Sequence, residues 1–228
     1  MFEDQLNFLR NHGYKVVPLS DVVNFLKRRS MLPPRAVAIT VDDGHYSVYT
    51  QMKPVVEKYH IPVTLFIYPS AISNASYAMT WEQLAELKAT GLFEVESHTY
   101  SHPNFHVEKR RLSAAGYEKL VKLQLYKPRE VLESRLGETV NLIAWPFGIY
   151  DSELISAAQK AGYVAAFTIE RRKVSQQDDL MAIPRFIICD SDVGKVLEGL
   201  LTREPRHDSA GIQHPASDCG TKEAQVNH

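Results

Sequence analysis

Two short segments of this chain hold residue types that could do chemistry together. In the first, the apolar run 36–41 (AVAITV) leads directly into Asp42-Asp43-Gly44. Adjacent carboxylates repel each other, and a fold does not need that for stability. Past the last residue of a strand both side chains can turn towards one mouth, and Gly44 permits the sharp turn this requires. Alone, Asp-Asp-Gly also fits a solvated turn or a helix cap. In the second, the run LFEVE leads into Ser97-His98-Thr99-Tyr100-Ser101-His102-Pro103. Two histidines four apart can aim at one point when the segment coils, and imidazole nitrogen is a preferred ligand for zinc. Pro103 biases His102 away from helix, so a tight loop with at most one turn is expected. One carboxylate with this pair makes a His₂Asp set with open positions, the pattern of a catalytic metal site, and leaves the second carboxylate free as a base. A third segment, 145–151 (WPFGIYD), also follows an apolar run. Pro146 and Gly148 fix an irregular backbone there that can aim an amide N–H at the mouth, although Pro-Phe-Gly before an Asp151 cap is also ordinary loop chemistry.

The elements needed to hold these segments are legible as alternating patterns. β-rich apolar runs occupy 36–41, 62–67, 92–96, 140–145, 163–168 and 182–188. Helical spacing occupies the N-terminal MFEDQLNFLRNHGY, 49–59, 80–90, a long stretch over 109–136, and 151–161. Thr80 followed by Gln83 predicts a capping box, and Gly91 and Gly162 predict helix stops. Near-continuous apolar strands alternating with helices imply an α/β fold with a parallel sheet, either doubly wound or a (β/α) barrel. The barrel is favoured because the polar residues gather just after strands, on one rim.

The chain has 228 residues, enough for one sizeable core, with 44% hydrophobic and 23% charged residues. A net charge of -1 gives no global field for nucleic acid, and no apolar run approaches the roughly 20 residues of a transmembrane helix. The expected organisation is one domain over 1–202 and a polar, disordered tail over 203–228 that contains His207, His214 and His228. The start lacks the apolar middle of a signal peptide. The expected location is therefore periplasmic, secreted or cell-envelope if an export signal lies upstream, and cytoplasmic if the chain is complete as written. Of the two cysteines, Cys189 is read as a buried free thiol and Cys219 as a free thiol in the tail.

Together these segments resemble the polysaccharide deacetylase family, the NodB-homology or carbohydrate esterase 4 group. Thr40-Val41-Asp42-Asp43-Gly44, Ser97-His98-Thr99-Tyr100-Ser101-His102 and Trp145-Pro146-Phe147-Gly148 match its first three motifs in order, and the likeness runs from about Phe2 to Leu201. The resemblance implies a distorted, incomplete (β/α) barrel. It implies that Asp43, His98 and His102 hold a divalent metal, zinc by preference and otherwise cobalt, nickel or manganese, and that Asp42 is the general base. The Phe147 N–H would help bind an oxyanion, and Pro146, His45 and Tyr46 would line the substrate groove. The substrate implied is an N-acetylglucosamine-containing polysaccharide of biofilm or cell envelope, losing its N-acetyl groups. Tyr68, Tyr77, Trp81 and Tyr100 are further candidates for stacking on sugar rings.

The chain departs from the family pattern in three places. His45 stands where an aromatic residue is common. Ala144 stands where an arginine is often found, so no cation beside Asp42 is expected from that position. The late histidine that would protonate the leaving amine is absent from the strand expected over 184–190 (PRFIICD). One branch, which includes poly-N-acetylglucosamine deacetylases, carries this element before the first helix as a Tyr-His strand. Relative to that branch the present chain is expected to be shortened at its N-terminus, possessing the barrel without its first strand. Two other readings stand beside the main one: a weakly active or inactive metal- or sugar-binding relative without its general acid, and an acetyl esterase on another carbohydrate.

Overall fold

The computed structural model describes residues 1–202, so the tail expected over 203–228, with its three histidines and Cys219, lies outside the described residues. After helix α1 (Phe2–Asn11), a two-residue strand β1 (Lys15–Val16) and helix α2 (Leu19–Leu26), the chain enters β2 (Ala36–Val37), which pairs with β1 in parallel, and then β3 (Ile39–Asp42). A π-turn (Val48–Met52) and α3 (Lys53–Tyr59) lead to β4 (Val63–Ile67). Helix α4 (Trp81–Ala89) precedes β5 (Phe93–Ser97), and α5 (Phe105–Arg111) and α6 (Ala114–Leu136) precede β6 (Leu142–Ala144). A 3₁₀ turn (Pro146–Gly148) and α7 (Ser152–Lys160) lead to β7 (Ala165–Phe167), and α8 (Lys195–Thr202) ends the described chain.

Strands β3 to β7 form one parallel sheet in chain order, a half-barrel with helices between successive strands. Side chains alternate between its two faces. On β4, Val63, Leu65 and Ile67 join the core shared with the flanking helices, where Leu84, Leu87, Leu125 and Leu132 pack. Phe66 points the other way, into a second core with Leu142, Ala144, Ala165 and Phe167. Helix α2 covers this inner face with Leu19, Val23 and Leu26. Thr80 and Gln83 make the expected capping box on α4.

Strands β5 and β6 share a single register pair, Ser97 with Ile143. Where they diverge, the Glu96 carboxylate accepts hydrogen bonds from the Asn141 and Leu142 N–H groups at 2.9 and 2.8 Å, completing the ladder with a side chain. Burial pushes that carboxyl up to about 8 against the two N–H donors.

Three expectations need correction. The helix over 109–136 is two helices, because Leu112 is extended and Ser113 caps a new start at Gly116 N–H. The run 182–188 is not a strand and contributes one bridge, Ile183 with Phe167, because Pro184 lacks the N–H that would extend the ladder. Cys189 is disulfide-bonded rather than a free thiol.

Candidate metal centre and active site

Each candidate residue sits just beyond the C-terminal end of a parallel strand, the end where such sheets place their sites. Asp42 ends β3. Asp43 follows with φ 72°, and its N–H reaches Phe66 O at 3.0 Å. Gly44 has φ 80°, and a Cβ there would meet Ile67 Cδ1 at 2.9 Å and Ile72 Cδ1 at 3.0 Å, so the turn that swings both carboxylates over the sheet end requires glycine.

His98 extends the β5 ladder by one bond, its N–H meeting Ile67 O at 2.8 Å. Its ring is buried, and Nδ1 lies 2.8 Å from Ala144 O. Since a carbonyl only accepts, Nδ1 carries the proton and Nε2 presents a lone pair, the arrangement that orients metal-binding histidines. The turn that follows is pinned from beneath by Gln124 of α6. Its Oε1 accepts from Tyr100 and Ser101 N–H at 3.0 and 2.9 Å, and its Nε2 donates to Ser101 Oγ at 2.8 Å. Thr99 and His102 both have positive φ, 66° and 54°, and Asn104 then caps α5. The segment is a turn, as Pro103 required, and it delivers the His102 ring beside His98 with centroids 4.7 Å apart.

One oxygen and two nitrogens converge. Asp43 Oδ1 lies 3.5 Å from His98 Nε2 and 3.7 Å from His102 Nε2. The three ligand atoms lie within 4.8 Å of one another. Asp43 Oδ1 is buried and, among the described residues, has no hydrogen-bond partner. Burial and the Asp42 charge raise the Asp43 carboxyl despite the neighbouring His98. Burial lowers both histidines, keeping their imidazoles neutral. An orphaned carboxylate oxygen facing two neutral imidazole nitrogens is the donor set of an open zinc-type site, so these residues fit a divalent ion.

Asp42 is not part of that triad. Its two oxygens are each 2.8 Å from a nitrogen of the Arg185 guanidinium, which also donates to Thr40 Oγ1 and Thr168 O. Burial would raise the Asp42 carboxyl, but Arg185 and His98 outweigh it and hold the carboxyl below the ordinary range. The expectation from Ala144 is therefore half right. That position supplies no cation, only the carbonyl that holds His98, but a cation arrives from 143 positions away.

Phe147 has φ 56° and ψ 14°, its side chain is 47% exposed, and among the described residues no acceptor takes its N–H. Pro146 is buried, and a Cβ on Gly148 would lie 2.6 Å from Ile169. The Phe147 ring stands 4.6 Å from the His102 ring. His45 is not a ligand: its Nδ1 pairs with Ser47, and its ring lies against Tyr46 and Tyr77. Tyr46 and Tyr77 are exposed, giving an aromatic edge beside the carboxylates. Trp81 N–H caps onto Ser73 Oγ, its ring stacks with Arg135, and Tyr100 is fixed by Gln124, so neither is singled out as a sugar platform.

A parallel half-barrel with a His₂Asp cluster and a paired aspartate at its strand ends defines the class. The chain belongs to the polysaccharide deacetylase family, whose sequence profile matches residues 29–166. Among particular relatives, it is 28% identical over 194 residues to the poly-beta-1,6-N-acetyl-D-glucosamine N-deacetylase of Staphylococcus aureus strain MRSA252, covering 83% of this chain and 66% of the relative. The Staphylococcus epidermidis protein of the same description is 26% identical over 191 residues. The chain thus spans just under two thirds of the length of these curated relatives. Of solved structures, IcaB from Ammonifex degensii superposes with TM-score 0.78 at 27% identity, over 89% of this chain and 88% of that one. The Streptococcus pyogenes deacetylase PplD in complex with acetate shares the fold at TM-score 0.78 and 21% identity, over 90% and 86%.

Proposed function

We propose that this chain is a metal-dependent N-deacetylase of N-acetylglucosamine-containing polysaccharide, with poly-β-1,6-linked N-acetylglucosamine the first substrate to test. The observation that carries the reading is the orphaned Asp43 Oδ1 facing His98 and His102 Nε2, beside an aspartate outside that cluster that Arg185 holds in its ionised form. Similarity to staphylococcal enzymes described as acting on that polymer supports the substrate.

Asp43, His98 and His102 would hold the ion, zinc by the mixed nitrogen and oxygen donor set, with cobalt, nickel or manganese able to occupy the same atoms. When bound, it supplies Lewis-acid chemistry, polarising the acetamide carbonyl and acidifying water. Asp42, kept as a carboxylate, takes a proton from the attacking water. The Phe147 N–H, freed by its left-handed backbone, donates to the oxygen that gains charge. Tyr46 and His45 flank the carboxylates and contact the sugar. Products are acetate and a free amine on the glycan.

The test is deacetylation of defined β-1,6-linked N-acetylglucosamine oligomers, reading acetate and new amines, with the chain as purified, after chelation, and after zinc or cobalt is restored. Acetate release that chelator abolishes and metal restores is expected. Chelator-insensitive release would overturn the metal reading, and release from acetylated xylan but not from these oligomers would overturn the substrate.

A further inference from the structure

The two histidines of the cluster are held in different ways. His98 is buried and fixed by a hydrogen bond to Ala144 O. The His102 ring is bonded, among the described residues, to its own backbone alone, and its backbone N–H is tied to Thr99 Oγ1 at 3.2 Å. What surrounds it is aromatic. Tyr68 lies with its ring centroid 5.4 Å away, His98 at 4.7 Å and Phe147 at 4.6 Å. A ligand imidazole bonded only within its own residue has no partner on another element to fix its ring, so packing must contribute. The His98 and Phe147 contacts are edge-to-face and the Tyr68 contact is tilted at 42°, and aromatic pairs at such distances are attractive and depend on orientation.

Tyr68 is itself fixed. It follows β4 directly, so its backbone is set by the sheet, and its hydroxyl is hydrogen-bonded to that of Tyr77. Tyr77 in turn belongs to the loop whose Tyr77 O and Ala78 pair with Tyr46 N–H and His45, next to the catalytic carboxylates. The contact therefore passes from a rigid strand end to the His102 ring.

We propose that Tyr68 is a positioning residue for the metal ligand His102, holding its imidazole at the ligating angle by ring packing where His98 is held by a hydrogen bond to another strand. This rests on the assignment of Asp43, His98 and His102 as ligands. It separates the two faces of Tyr68: the ring serves His102, and the hydroxyl serves the Tyr77 loop. Removing the ring should weaken metal binding, whereas removing the hydroxyl alone should not.

Cobalt(II) titration of the metal-stripped full chain tests this, reading the d–d absorption band for affinity and coordination, with the melting temperature of the metal-free form measured in parallel. Tyr68→Ala should bind cobalt about tenfold or more weakly, the scale seen when support of a ligand histidine is lost. Tyr68→Phe should stay within about twofold of the unsubstituted protein, a rescue that a hydroxyl-based role would not give. If Tyr68→Ala does not fold when metal-free, Tyr68→Leu, which keeps apolar bulk without a ring, is expected to show the same loss. Unchanged affinity in the variant that folds, or equal loss in Tyr68→Phe, overturns the proposal. An unsubstituted chain that binds no cobalt overturns the ligand assignment instead.

Discussion

Arg185 grips Asp42 through two parallel hydrogen bonds, Nη1 to Oδ1 and Nη2 to Oδ2, each 2.8 Å long. The fork geometry matches a carboxylate as a lysine cannot, so the pair fixes the orientation of Asp42 as well as its charge. It also leaves Asp42 a weak base in equilibrium terms and restricts its rotation.

Replacing Arg185 should therefore be seen in a pH profile. With a depressed carboxyl, the ionised form is present above the ordinary carboxylate range and is lost only as pH falls through the depressed value. Arg185→Met removes the field that opposes burial, so the acidic limb of kcat/KM should move to higher pH. The plateau should also fall by about tenfold or more, within the range for a misplaced general base. Arg185→Lys should recover part of the limb position and little of the rate. An acidic limb that stays put in Arg185→Met would mean that another group sets it.

On the proposed mechanism the two carboxylates have different tasks, and their variants should differ accordingly. Asp43→Ala removes the anionic donor of the candidate three-donor site and should lose bound metal. Asp42→Asn keeps all three donors and should retain metal while losing about 10²–10⁴-fold in rate. Metal content by mass spectrometry alongside rate decides. Equal metal loss in both would make Asp42 a ligand.

The site was legible where chemistry and punctuation coincide. Asp42, Asp43, His98 and His102 stand at strand ends in pairs that packing does not call for, and the two pairs together, not either alone, marked them. Arg185 was not legible, because it lies in a stretch without strand pairing and only the closed half-barrel brings it to Asp42. Gln124 reads in sequence as one polar residue of a long helix. That it is buried, with its three hydrogen bonds under the metal turn, depends on tertiary packing. Helix α2 was missed since it is only eight residues long, with no side-chain cap after Pro18, and it exists because the inner face of the sheet needs covering. The split at Leu112 had a local signal in Ser113, an N-cap type, which the continuous helical spacing on both sides obscured.

Glu96 gives a stability prediction with a definite sign. Its folded carboxyl is pushed up to about 8 from 4.5, so the folded state favours the protonated form. Its contribution is fully present below the unfolded value and is lost as pH rises from about 4.5 to about 8. Glu96→Gln keeps an oxygen acceptor for the Asn141 and Leu142 N–H groups and does not ionise. The variant should be close to the unsubstituted chain near pH 5 and more stable than it at pH 8.5, as read from denaturant midpoints. If the two midpoints track each other across that range, the carboxyl is already ionised in the fold and the N–H pair, not burial, dominates it.

The last prediction concerns the proton that a leaving amine needs. Collapse of a tetrahedral intermediate expels an amine only with an acid at hand, whereas an alkoxide needs less help. Among the described residues, no histidine beyond His98 and His102 joins the cluster. His12 is bonded to Phe8 O on α1, His60 ends α3, His106 is exposed on α5, and His45 is paired with Ser47. Among the described residues the proton then returns from Asp42, which on the proposed mechanism faces the attacking water, and whose depressed carboxyl gives a proton up readily. For one sugar oligomer carrying either an acetate ester or an acetamide, this chain should cleave the ester faster by about tenfold or more. Asp42→Asn should depress both reactions, and the amide by the larger factor. Solvent deuterium should slow the amide more than the ester. Amide turnover that matches the ester, with equal isotope effects, would show that a donor other than Asp42 already serves the leaving group.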